Sequence, residues 1–390
     1  MTIKNTIFSL ACCGLLLSSP AMAVDLVGVH DLALKSDPQL QAADFRRQAT
    51  LENKAIARAN LLPQLSGSGN YNWGDSETKV KGFGSASNDT ETYNYGIDLR
   101  QSLYRQANYE SLDIARGQIT QAEADYQTTY QDFLLRVSQS YFTVLTLLDG
   151  VTFAEAEEKA FQRQYEQAEQ RFEVGLTAVT DVHEARATYD NARARAIVAR
   201  NDLADAEEAL HELTGQYFKQ YDALQETLPL VEPDPVNSQD WVQMALQSNP
   251  VVLAARAGVD VAGANMRLAR SGHLPTLDLV AGYSRFTNKN YRDIINEIEL
   301  NEDLQVDDTS ISLVLNVPLY EGGRVNAQTR QARFLLDATG SDLDAVNRSV
   351  VRQTENAYRA VLAGIQEVEA FDQASISAVS ALEATQAGFE

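Results

Sequence analysis

Ala33-Leu34-Lys35-Ser36-Asp37-Pro38 returns 212 residues later as Ala245-Leu246-Gln247-Ser248-Asn249-Pro250. The same offset, without a gap, pairs Ala42-Ala43 with Ala254-Ala255, Arg58 with Arg270, Leu62-Pro63 with Leu274-Pro275, Leu65 with Leu277 and Tyr71 with Tyr283. Four extra residues in the second copy then shift the offset to 216, where Leu103-Tyr104 meets Leu319-Tyr320. Identity held in one register over roughly fifty positions marks an internal duplication, the kind of signal that organises a fold before any single motif does. The copies span residues 24–215 and 239–390. Between them lies a linker, 216–238, in which Pro229, Pro233 and Pro235 stop both helix and central strand.

Each copy reads as a short helix, two strands around a polar loop, and long helix. The strands are predicted at about 62–74 and 92–103, then 274–286 and 309–320. In the first, Leu65, Gly67, Gly69, Tyr71 and Trp73 alternate with Ser66, Ser68, Asn70 and Asn72; in the second, Tyr93, Tyr95, Ile97 and Leu99 alternate with Asn94, Gly96, Asp98 and Arg100. Copy two repeats the pattern with Leu277, Leu279, Ala281 and Tyr283, then Ile311, Leu313, Leu315 and Val317. Period two with an apolar, aromatic-tipped face and a polar face suits a strand between lipid and a wet lumen. A hairpin half-buried on a soluble core would show the same alternation. If the strands do cross a membrane, four are too few, because even a packed barrel needs about eight. An open sheet would leave two edges unpaired in hydrocarbon. The membrane reading therefore requires several copies: three would give a pore, two a narrow and filled barrel. The loop from Asn288 to Asp308, with seven acids and two bases, is expected to face outward.

Between Gln106 and Glu173 there is no proline, and polar and apolar residues follow a helical period. At 1.5 Å per residue this would be a rod of ~100 Å, although Gly117 and Gly150 weaken it. The next helix, about 178–214, carries Val182, Ala185, Tyr189, Ala192, Ala196, Ala199, Leu203, Ala206, Leu210 and Leu213 at alternating steps of three and four. Such a seam, rich in alanine, lets helices approach closely in a coiled coil. Between the two helices, Gly175 can adopt the left-handed conformation that ends one, and Thr177 can cap the next. A third long helix is predicted at about 322–390.

The first 23 residues read as an export signal: Lys4, an apolar run from Ile7 to Leu17, and a cleavage site at Ala21-Met22-Ala23. The run is too short to span a bilayer. Acylation at Cys13 is disfavoured by Cys12 before it, where a small residue is needed. Both cysteines lie in this signal, so the mature chain has no disulfide, thiolate nucleophile or cysteine-based metal site. A net charge of -22 argues against a nucleic-acid partner, which needs a basic face. His30, His183, His211 and His273 are scattered, and no catalytic, phosphate-binding or metal motif includes them. No enzymatic activity, metal or cofactor is expected.

Several stretches together resemble the TolC family of outer-membrane efflux and secretion channels. They are Arg171-Phe172-Glu173-Val174-Gly175-Leu176 through Thr180-Asp181-Val182 to Arg186-Ala187 and Tyr189-Asp190, with Leu61-Leu62-Pro63, Asp37-Pro38, Leu213-Thr214-Gly215, Pro318-Leu319-Tyr320 and Gly322-Gly323-Arg324. The resemblance covers the whole chain after the signal. It implies a mainly α protein with transmembrane β: a homotrimer whose four strands per chain build a twelve-stranded barrel in outer-membrane lipid. Long coiled-coil helices would form a periplasmic α-barrel. The expected partners are a periplasmic adaptor and an inner-membrane ABC or proton-driven pump. The family pattern assigns Val174, Gly175 and Leu176 to adaptor contact and Asp181 to the gate at the tip. The bland readings are a cap glycine and an acid favoured at a helix start.

At offset 217, Ala384 to Glu390 aligns with the approach to the Gly175 tip, so the second copy is expected to be incomplete, without its returning helix. The function implied is a passive exit duct for drugs or proteins. The alternative is a periplasmic coiled-coil scaffold or adaptor with no barrel.

Overall fold

The computed structural model describes residues 23–81, 84–224, 229–295 and 298–389. The export signal, apart from Ala23, and Glu390 lie outside the described residues. In chain order the elements are α1 (Leu26–Ser36), α2 (Pro38–Leu51), α3 (Asn53–Ala59), β1 (Gln64–Val80), β2 (Gly84–Tyr104), α4 (Gln106–Glu173) and α5 (Val179–Thr214), followed by α6 (Ser238–Ser248), α7 (Pro250–Ser271), β3 (Thr276–Ile295), β4 (Ile298–Asn316) and α8 (Arg324–Phe389).

The single short helix expected before each strand pair is instead broken at the repeated Asp-Pro and Asn-Pro. A residue before proline is pushed out of helical geometry, while proline suits the first helical turn. Asp37 is extended and caps α2, its Oδ1 accepting from the Gln39 N–H at 2.6 Å and the Leu40 N–H at 3.3 Å. Asn249 repeats the arrangement before α7, accepting from the Val251 N–H at 2.9 Å.

All four strands form one antiparallel sheet in the order β1-β2-β3-β4. The strands are much longer than the sequence suggested. Their polar outer halves, including most of the acidic stretch 288–308 expected to be loop, continue the ladder: Asn288 opposes Leu304 and Ile295 opposes Ile298. The pattern of one buried face is a poor guide where both faces are polar. At the other end β4 stops at Asn316, two residues before Pro318, which has no N–H to donate. Gly322 and Gly323, at φ 60° and 80°, make the turn into α8, which begins two residues later than anticipated.

Two compact units emerge, and they do not coincide with the two copies. One gathers the chain up to Ala42 with Thr129–Pro229, the other Ala43–Thr128 with Leu230–Glu390. The reason is the β2·β3 ladder, which fuses the two hairpins into one body. In the first unit α1, α4 and α5 enclose Val29, Phe133, Val137, Val144 and Leu210, all fully buried. A fully buried Asp37 also lies there, its Oδ2 2.6 Å from the Arg136 Nη2. Tyr141, buried beside them, donates its hydroxyl to the carbonyls of Val24 (3.1 Å) and Asp222 (2.9 Å), and burial raises its pKa. Burial likewise pushes Tyr221, which bridges Val24, up to about 12. In the second unit α7 lies between α4 and α8. A Cβ on Gly117 would sit 2.6 Å from Val261 Cγ2, so this glycine permits close helix approach instead of interrupting α4. Gly150 meets nothing, and α4 runs unbroken through both.

Candidate functional site: the sheet face and the hairpin tip

The register shows what the sheet can face. Leu65, Leu99, Ala281 and Ile311 stand in one rank across all four strands, and Gly67, Ile97 and Tyr283 in the next. The residues singled out by alternation therefore share one surface. Among the described residues nothing covers it: Leu65 is 70% exposed, Trp73 69% and Ile311 78%. A hairpin laid on a soluble core would bury these side chains, so that alternative fails.

The apolar band shifts along the strands from one hairpin to the next. In the first hairpin it runs from Leu65 to Trp73, opposite Leu99 to Glu91. In the second it ends at Tyr283 and Ile311, and beyond lie the ion pairs Arg285–Asp307 (2.9 Å between Nη2 and Oδ2) and Lys289–Glu91 (3.9 Å). Strands tilted by about 40° across a bilayer require such a stagger. Tyr71, Trp73, Tyr93, Tyr95 and Tyr283 gather at the charged end, with the Tyr71 and Tyr93 ring centres 5.0 Å apart. Aromatic rings at the junction of an apolar band and a charged zone are placed as in a membrane-interface girdle. The opposite face carries Ser66, Asp98, Gly282 and Ser310, then Ser68, Gly96, Ser284 and Asp308, as a water-filled interior would need. Among the described residues no helix is long and apolar enough to cross a membrane.

The second feature is the end of the α4–α5 hairpin. Gly175, at φ 76°, donates its N–H to the Phe172 carbonyl at 2.9 Å, and Leu176 donates to the Arg171 carbonyl at 2.8 Å. These two bonds form a Schellman cap. The usual apolar contact of such a cap is missing: Val174 is 69% exposed and Leu176 77%. Thr177 does not cap α5 as expected. Ala178 holds that position, and Asp181 reaches back to its N–H at 3.4 Å while accepting the Thr177 hydroxyl. Thr177, then the Ala178 N–H, hold the Asp181 carboxyl below the usual carboxylate range. Its partners all lie within its own hairpin.

Behind the tip the two helices meet along the predicted seam. Ala192 and Ala196 are fully enclosed, and none of the ten seam residues of α5 is exposed. Tyr165 and Tyr189 stack with their ring planes 2° apart, and Arg195 and Arg200 of α5 bond Glu157 and Glu155 of α4, each at 2.8 Å.

A partial barrel with an open apolar face, joined in one chain to a long alanine-seamed hairpin, defines a subunit of an outer-membrane channel. The profile of the family described as "Outer membrane efflux protein" matches residues 29–216 and 241–390, and the chain belongs to that family. It is 38% identical over 374 residues to the outer membrane protein TolC of Vibrio cholerae serotype O1, covering 96% of this chain and 83% of the relative. With the alkaline protease secretion protein AprF of Pseudomonas aeruginosa the identity is 30% over 382 residues, 95% of this chain and 77% of the relative. A crystal structure of a membrane protein from P. aeruginosa shares the fold with a TM-score of 0.75 at 19% identity, covering 94% and 83% of the two chains. The protein thus resides in the outer membrane.

Proposed function

We propose that three copies of this chain form a passive outer-membrane exit duct, a twelve-stranded barrel continued into the periplasm by packed helical hairpins. The observation that carries the reading is the sheet: among the described residues it has four strands, two free edges and an apolar face left bare. Hydrocarbon tolerates no unpaired strand edge, and three copies give the smallest barrel of this unit with room for a wet lumen.

The names of its relatives, an outer membrane protein and a protease secretion protein, support efflux or type I secretion as the duct's use. Energy is supplied by an inner-membrane ABC or proton-driven pump, so the duct itself needs no catalytic group and no cofactor. At the tip, Val174, Gly175 and Leu176 contact the periplasmic adaptor. Two exposed apolar side chains on a rigid turn supply area for such a contact at little loss of entropy. Asp181 belongs to the gate: its carboxylate has lone pairs beyond those used in its own hairpin, available to a donor on a neighbouring one.

The test is where the protein fractionates and in what form. Recovery in the outer-membrane fraction, trimeric mass in detergent and heat-modifiable mobility on gels support the duct. A monomer released with the soluble periplasm would instead support the scaffold.

A further inference from the structure

The two free edges of the sheet carry a register of their own. The duplication relates β1 to β3 by 212 residues and β2 to β4 by 216. It can be checked inside the chain. Leu65 opposes Leu99 in the first hairpin, and the duplication carries this pair to Leu277 and Leu315, which do oppose each other in the second. Gln64 opposite Arg100 likewise becomes Thr276 opposite Asn316, as observed. The two hairpins are register-equivalent.

The junction between hairpins within the chain is β2·β3, where Leu99 opposes Ala281, Ile97 opposes Tyr283, Tyr95 opposes Arg285 and Arg100 opposes Val280. Carried through the same relation, these pairs fall on β4 and β1. We infer that β4 of one copy pairs antiparallel with β1 of a second copy in the register Leu315 opposite Gly69, Leu313 opposite Tyr71, Ile311 opposite Trp73 and Asn316 opposite Ser68. This inference rests on the multi-copy duct proposed above and assigns its subunit interface.

Two independent observations support the register. A slip by one residue would turn every side chain of one strand to the other face, whereas this register keeps Leu315, Leu313 and Ile311 on the apolar face with Gly69, Tyr71 and Trp73, and Asn316 on the polar face with Ser68. The staggered apolar band also runs on across the joint. The stretch Ile311 to Asn316 of β4 comes to lie against Trp73 to Ser68 of β1, so the aromatic end of one copy continues the band of the next. Gly69 has nothing within 4 Å of where a Cβ would stand, which leaves room beside Leu315. Within one chain β1 and β4 are separated by three strand spacings, roughly 14 Å. A disulfide, which needs Cα atoms within about 7 Å, could form only between copies.

Paired cysteines test this in the full chain exported to an outer membrane, with Cys12 and Cys13 replaced by serine. The pairs in register are Gly69→Cys with Leu315→Cys and Ser68→Cys with Asn316→Cys, one on each face because only one face presents geometry suited to a disulfide. The same β4 cysteines are combined with Tyr71→Cys and Asn70→Cys as pairs shifted by two residues. Mild oxidation is expected to link chains through at least one pair in register, with a yield at least several-fold above its shifted counterpart. Stronger linking of a shifted pair overturns the register. So does failure of both in-register pairs in protein that amine cross-linking shows to be oligomeric. Protein that amine cross-linking shows to be monomeric in the membrane overturns the duct reading itself, and the interface with it.

Discussion

The hairpin tip allows a prediction with few free terms, the substitution Gly175→Ala. Among the described residues, no atom beyond the two chain neighbours lies within 4 Å of the added methyl group, so it meets no tertiary clash. What remains is the left-handed backbone at φ 76°, which costs a residue with a Cβ about 1–2 kcal/mol. That strain acts on the cap, since the two bonds that close it start at the N–H groups of residues 175 and 176. An opening free energy lowered by about 1–2 kcal/mol corresponds to roughly a 5–30-fold larger open population. Hydrogen exchange resolved to single amides is the assay. Exchange at 175 and Leu176 is expected to accelerate by that factor, while amides around Phe133 and Leu210 stay unchanged. Gly175→Asn, whose side chain tolerates this conformation, should lie between wild type and alanine. Equal exchange in wild type and the alanine variant, or faster exchange with asparagine than with alanine, would refute the strained-cap account.

Other expectations follow from the same structure. Arg136→Ala strands the fully buried Asp37 carboxylate and should destabilise the first unit by about 3–5 kcal/mol, read as a fall in thermal midpoint. Asp37→Asn should cost less, because Asn249 already performs the same capping in the second copy. Ala196→Leu overfills an enclosed seam position and should cost about 1–3 kcal/mol in denaturant titration, while the 55% exposed Ile197 should tolerate alanine within about 0.5 kcal/mol. Asp181 has a pKa lowered in the folded hairpin, so its carboxylate stabilises the start of α5 above the unfolded value of 3.8 and less as pH falls below it. Asp181→Asn should therefore speed amide exchange in the first turn of α5 at neutral pH, with the difference from wild type shrinking as the pH drops below that value.

The duplication, the faces of the four strands and the seam of α5 were legible because each leaves a periodic trace that a one-dimensional string preserves. Every seam residue from Val182 to Leu213 is sheltered, and Leu65, Tyr71 and Ile311 fall on one surface as alternation suggested. Periodicity failed where neither face alternates cleanly, so residues 75–80, 288–295 and 298–308 passed for loop although they extend the ladder. Capping at the tip was misassigned by one residue, because Thr177 and Ala178 compete for a helix start that Asp181 decides from inside the first turn. The Arg136–Asp37 pair joins residues 99 positions apart, with no local pattern to announce it. The fusion of the two copies through β2·β3 was equally invisible, since pairing between repeats depends on strand order and not on composition.

Single-channel recording in planar bilayers tests whether the assembled barrel is an open, water-filled duct. Protein extracted from the outer membrane as an oligomer and added to a bilayer should give discrete, long-lived conductance steps, as a water-filled barrel lined by the Ser66–Asp98–Gly282–Ser310 face requires. Folded oligomer that inserts into the bilayer and carries no current would contradict the duct.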